Sequence, residues 1–179
     1  MTAAMAGDTA RVRAQTYTEI GRTHFNNRRY DAALAAFEQA IAADATFIRA
    51  QVAKAHVLKM LGRPEEGLAL IDRIVAENPD YALAYSTRGS ALQSIGRRDE
   101  AKASYERAIT LAGDNALVCY NFACFWALEG DRREAERWLA RAIRLEPGRN
   151  VRAAIDPDFA PYRDEEWFQK LTAFQKHPG

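Results

Sequence analysis

Cysteine occurs twice in the 179 residues, proline six times and glycine ten times, and the net charge is only +1. Each scarcity excludes something. Two thiols cannot build the disulfide framework of a small secreted domain. Cys119 and Cys124 also fall in one apparent helix. Five helical residues rise about 7.5 Å and turn the side chains about 140° apart, which is beyond the roughly 7 Å Cα separation a disulfide spans. Two small, unlinked thiols in a reducing compartment are expected. The low Gly and Pro content argues against a low-complexity chain. Near-zero charge argues against a dedicated nucleic-acid binder, which would be basic overall. No run of 18 apolar residues occurs, so no membrane insertion is expected. The start, MTAAMAGDTARVRAQ, lacks the basic-then-apolar pattern of a secretory signal, and neither end carries a lipidation motif. A cytoplasmic location is expected. Catalytic spacings are missing too. His24, His56 and His177 form no HxxxH pair, and there is no CxxC, phosphate loop or GxSxG elbow. The expectation is a non-enzymatic chain with no metal or cofactor.

What is abundant is alanine, about one residue in five, and Ala is the best helix former. The stronger signal is a 34-residue period, which divides the chain into blocks 14–47, 48–81, 82–115 and 116–149 without insertion. The eighth position of each block is Gly21, Ala55, Gly89 or Ala123, and the twentieth is Ala33, Gly67, Ala101 or Ala135. The twenty-fourth is always large: Phe37, Ile71, Tyr105, Leu139. Apolar residues also recur at positions twenty-seven and twenty-eight, such as Ile74 and Ile143. Within blocks the apolar residues return every three and four places, the stripe of an amphipathic helix. Each block therefore reads as two helices joined by a short turn. Gly62, Gly96 and Gly130 stand where the first helix stops, suited to a left-handed residue. The first block has Arg28 there, so its turn is assigned to the neighbouring Asn27, which tolerates that conformation better. Pro64 opens a second helix, and Pro79 and Pro147 follow the ends of others.

This pattern, small at eight and twenty, bulky at twenty-four and Pro near thirty-two, resembles the tetratricopeptide repeat (TPR) in four tandem copies. The resemblance implies an all-α, right-handed superhelical α-solenoid of antiparallel helix pairs. Some columns depart from the family. Position four is Tyr17, Gln51, Tyr85 and Cys119, and position seven is Ile20, Lys54, Arg88 and Phe122. Lys54 and Arg88 are expected to lay their stems on the core and keep their charge in water. The organisation expected is a partly disordered lead-in over 1–13, repeats over 14–149, and capping helices with a tail over 150–179. The last segment is similar to the end-of-array segment of many bacterial TPR proteins. It reads as a helix at 150–155, a turn over Asp156-Pro157-Asp158 and a helix near 164–174. Phe159, Tyr162, Trp167, Phe168 and Leu171 should cover the second helix of block four. Arg133, Arg137, Arg141 and Arg144 share a helix face and are expected to pair with Asp156, Asp158, Asp164, Glu165 and Glu166.

The resemblance also places a ligand face. In the family the first helix of each repeat lines a concave groove through positions two, five, six, nine, twelve and thirteen. Carried over, the candidate peptide-binding residues are Thr18, Arg22 and Phe25 in block one, and Arg49, His56, Lys59 and Met60 in block two. Block three supplies Ser86, Ser90 and Gln93, and block four Tyr120, Asn121 and Cys124. Arg22, Arg49, His56 and Lys59 make the first half basic, so a peptide acidic at one end is expected, with Tyr120 as an apolar anchor. The Lys/Asn/Arg set by which some TPR proteins hold the acidic terminus of heat-shock chaperones falls on Thr18, Arg22, Ala53, Leu83 and Thr87. One repeat later it falls on Val52, His56, Asn121, Leu117 and Thr87. Neither set matches, and no such clamp is expected. The function implied is an adaptor or assembly factor, monomeric or weakly self-associating. A secretion-type chaperone and a homo-oligomeric scaffold are the alternatives.

Overall fold

The structure is a computed structural model. It describes residues 3–173, and side chains from residue 7 onward. His177 lies outside the described residues. The elements are α1 (Ala3–Asn26), α2 (Tyr30–Ala43), α3 (Ile48–Met60), α4 (Pro64–Glu77), α5 (Ala82–Ser94), α6 (Arg98–Ala112), α7 (Ala116–Leu128), α8 (Arg132–Leu145), α9 (Arg149–Ile155), a 3-10 helix (Pro157–Tyr162) and α10 (Glu166–Thr172). No strand occurs among the described residues. Connections of a few residues make consecutive helices antiparallel neighbours. The period is visible in the helix starts: 30, 64, 98 and 132 for one series, and 48, 82 and 116 for the other. Of the expected lead-in over 1–13, the described residues are helical. Residues 3–13 form the first half of α1, since Ala-rich sequence extends a helix that is already nucleated.

The turns obey one rule. Gly62, Gly96 and Gly130 have φ of 75°, 79° and 77°. At each, two backbone bonds close the preceding helix in the Schellman pattern, for example Arg63 N to Leu58 O (2.9 Å) and Gly62 N to Lys59 O (3.0 Å). The first block makes the same pair, Arg29 N to His24 O and Arg28 N to Phe25 O, both 2.9 Å. Its left-handed residue is Arg28, at φ 57°, and not Asn27. The helix–helix register sets the turn position and overrides the preference of the neighbouring residue. An L-residue in that region costs about 1–2 kcal/mol. Arg28→Gly is therefore expected to stabilise the protein by about 1 kcal/mol after its extra unfolded-state entropy is counted. An unchanged or lowered urea midpoint would refute this.

The chain divides into two compact units, residues 1–101 and 102–179. In the first, Ala33, Phe37 and Val57 form a core flanked by Phe25, Tyr30 and Leu34. The small columns act as inferred. Gly21 faces the Phe37 ring and Gly67 faces the Ala55 carbonyl. Lys54 and Arg88 go further than expected. Each reaches an acid sixteen residues earlier, Lys54 to Glu38 (2.9 Å) and Arg88 to Asp72 (2.6 Å). The same pair thus recurs one period apart, linking a first helix to the preceding second helix.

In the second unit Phe122 packs its ring near Tyr105, Phe125, Trp126 and Trp138, with centroids 5.1–5.9 Å apart. The C-terminal segment buries Phe159, Tyr162, Trp167 and Phe168 and half-buries Leu171. It covers more than the expected helix: the 3-10 helix lies on α7, and α10 lies on α8 and α9. The expected turn at Asp156 opens that 3-10 helix, because the Asp156 side chain accepts the Asp158 N–H (3.1 Å) and Pro157 takes the first helical position. The arginine stripe does not pair as expected. Arg137 meets Glu134 of its own helix (3.4 Å), and Arg141 donates to the Gly113 carbonyl (2.7 Å). Arg137 and Arg141 also flank the Trp138 ring. Instead Arg132, outside the stripe, bridges to Glu165 (3.0 Å). Arg137 thus finds an acid one turn back on its own helix, and Arg141 a carbonyl of the preceding block.

Candidate functional site

In the first unit the first helices run side by side, α1 against α3 and α3 against α5. Two contacts repeat their spacing. The Phe25 ring meets the edge of His56 at 5.0 Å, and Lys59 Nζ donates to Ser90 Oγ at 2.8 Å. In both, position twelve of one block meets position nine of the next, 31 residues on. These contacts fix the lateral spacing of the face.

The candidate residues divide by burial. Thr18 is buried, and its hydroxyl turns back to the Ala14 carbonyl (2.7 Å). Ser86 is fully buried. Neither can meet a ligand directly. Arg22 is exposed but held by Glu19 through two bonds of 3.0 Å, which offsets its share of the expected basic half. Arg49 is exposed, and Met60 exposes 39% of its surface. Phe25, His56, Lys59, Ser90 and Gln93 are half-buried. Gln93 Nε2 is buried and makes no hydrogen bond. The surface offered is therefore Arg49, His56, Lys59 and Met60, with Phe25 and Ser90 at its margins.

In the second unit the expected anchor is already engaged. Tyr120 is 2% exposed. Its hydroxyl donates to Asp156 Oδ2 (2.8 Å), its ring meets the edge of Phe159 (6.0 Å), and Arg149 and Arg152 lie 5.7 and 6.0 Å from the ring centre. Burial, with Cys124 and Asp156 nearby, pushes its phenol far above the usual range. Asn121 is half-buried. Cys124 is half-buried beside Asp156 and Asp158. Burial first, then those carboxylates, pushes the thiol well up, so it is a poor nucleophile at neutral pH. The three donor atoms lie within 4.8 Å of one another, a set that could offer ligands to a cation. Their present partners are internal: Asp156 accepts from Tyr120 and from Asp158 N, and Cys124 bonds Asp158. Local motif spacing could not reveal this cluster, because Cys124 lies over 30 residues from the two acids in sequence.

Sequence reasoning also missed the outer face of α1. Val12, Gln15, Thr16, Glu19, Ile20 and Thr23 line an open depression of about 460 Å³. Val12 and Ile20 are 62% and 42% exposed. The signal was present: Ile20 takes position seven, which in the next two blocks contacts the preceding repeat.

Two models described as tetratricopeptide repeat match the chain, over residues 25–90 and 82–115. Together they span just over half of it. No curated protein matches. Among solved structures, a thermophilic TPR protein of Thermus thermophilus superposes with a TM-score of 0.73 at 22% identity, covering 88% of this chain and 87% of that one. YrrB, described as a TPR protein with an unusual peptide-binding site, gives 0.50 at 25% identity and covers 75% and 69%. The first TPR of Spaghetti (RPAP3), bound to the HSP90 peptide SRMEEVD, gives 0.56 at 24% identity and covers 71% and 94%.

Proposed function

The chain belongs to the tetratricopeptide repeat family, a fold of protein–protein interaction modules, and from that premise we propose that it is a non-enzymatic adaptor or assembly factor that holds a peptide segment against α1, α3 and α5. The observation that carries this reading is the set of lateral contacts, Phe25 to His56 and Lys59 to Ser90, which spaces the first helices while leaving Arg49 and Met60 exposed. Four repeats, 14–149, followed by a capping segment are the organisation proposed. The partner is a peptide that carries acidic side chains toward Arg49 and Lys59 and an apolar one toward Met60, since Met adapts to varied apolar shapes. The chaperone-terminus clamp is not part of this proposal. Two free cysteines agree with a reducing, cytoplasmic setting. No helix among the described residues is long and apolar enough to cross a membrane. A homo-oligomeric scaffold has one observation in its favour, the exposed Val12 and Ile20 on α1; sedimentation across concentrations tests it.

Arg49→Glu with Lys59→Glu is expected to remove the partners that the wild-type chain captures, and to weaken an isolated partner at least tenfold, about 1.4 kcal/mol. Identical partner sets for the two chains would sink the assignment. Tyr120→Ala is unsuitable for this test, because it would act by opening the core of the second unit.

A further inference from the structure

We propose that residues 156–162 are a tethered occupant of the α7 ligand face, which a partner peptide of acid–proline–acid–aromatic chemistry displaces. This rests on the reading above that first helices face a ligand, through positions nine and twelve; at position five the short Thr18 and Ser86 are buried, and the segment meets that position only through the larger Tyr120. In the fourth block those positions are Tyr120, Cys124 and Ala127, and the segment engages all three. Asp156 Oδ2 accepts from the Tyr120 hydroxyl (2.8 Å), Asp158 bonds the Cys124 thiol, and the Tyr162 hydroxyl donates to the Ala127 carbonyl (3.2 Å). Phe159 is fully buried and meets the Tyr120 ring at 6.0 Å.

These contacts have the chemistry of a bound peptide. A carboxylate is read by a phenol, an aromatic side chain fills a pocket, and a hydroxyl reads a main-chain carbonyl. The cap over α8 is carried by Trp167 and Phe168 of α10, whose rings also meet Tyr162 (5.5 Å) and Phe159 (5.6 Å). The segment has little internal hold. It is a six-residue 3-10 helix containing Pro157 and Pro161, and the bonds at its two ends are long: Phe159 N to Asp156 O is 3.3 Å and Arg163 N to Ala160 O is 3.5 Å. What keeps it in place is side-chain contact plus the high effective concentration of a tethered ligand. A free peptide competes only when it makes the same contacts better.

The probe is a fluorescein-labelled peptide of residues 154–163, AIDPDFAPYR. Full-length Phe159→Ala protein should bind it saturably with 1:1 stoichiometry, and wild type at least tenfold more weakly. Adding Tyr120→Phe to Phe159→Ala should weaken binding roughly tenfold. In wild type, the amides of Asp158, Phe159, Ala160 and Tyr162 should exchange at least a hundredfold faster than those of Phe122 and Leu139. The proposal is overturned if Phe159→Ala melts cooperatively yet binds no peptide, or if it loses cooperative melting. Equal exchange protection of the segment and those core amides overturns it as well. The experiment does not use Arg49 or Lys59. Failure here, with partner loss still seen on their reversal, would sink this inference and leave the proposed function standing.

Discussion

Phe122→Ala is expected to destabilise the second unit by about 3–5 kcal/mol, the cost of removing a fully packed aromatic. The ring is 4% exposed and stands within 5.9 Å of four others: Tyr105, Phe125, Trp126 and Trp138. Those rings come from α6, α7 and α8, so its loss opens a cavity that no single side chain can fill. The stacked and tilted contacts it makes add to the area it buries. A domain of this size is stable by only about 5–15 kcal/mol, so the change should remove much of the cooperative transition. Urea denaturation followed by tryptophan fluorescence reads it directly, since Trp126 and Trp138 adjoin the site. A loss under about 1 kcal/mol would mean that the four rings collapse inward and that the cluster is not a rigid unit.

The second large effect is expected at Gly67. A Cβ there would stand 2.7 Å from the Ala55 carbonyl oxygen, a separation that only a backbone shift can relieve. Gly67→Val should cost about 3 kcal/mol, at the upper end of overpacking penalties. Gly67→Ala is the informative companion. Alanine gains about 1 kcal/mol in helix propensity but meets the same carbonyl, so a net loss of about 1–2 kcal/mol is expected. If Gly67→Ala stabilises the protein, then α3 and α4 are not in close contact at positions eight and twenty. Circular dichroism melts of both variants decide it. By contrast Gly62, whose added Cβ would meet nothing within 4 Å, is constrained by its φ of 75° alone.

Much of the fold was legible because the period repeats one physical problem. Wherever two helices cross closely the column is Gly or Ala, and wherever a first helix stops the column is left-handed. Arg28 shows how strong that repetition is: the residue type was wrong for the conformation, and the position took it anyway. The candidate site was legible only in outline. Arg49, His56, Lys59 and Met60 lie where the period puts them. Thr18 and Ser86 do not serve, because a short hydroxyl side chain on a crowded face turns inward. Tyr120 could not be judged from its own block. Its burial depends on Asp156 and Phe159, which follow it by more than 30 residues and lie outside the period. The arginine stripe failed for a related reason: helix periodicity says which residues share a face, but not which carbonyl or acid lies across from it.

The sequence by itself determined the helix pairs, the three glycine turns and the small and large columns between them. Those follow from local propensity, backbone sterics and a pattern stated several times over. Tertiary structure alone decided which first-helix faces stay open, where the C-terminal segment lies, and which charges find partners. Those outcomes depend on a non-repeating segment folding back on the array, and on hydrogen bonds between residues that no fixed spacing relates. Periodicity constrains neighbours within a repeat, whereas closure of a face is set by whatever chain returns to cover it.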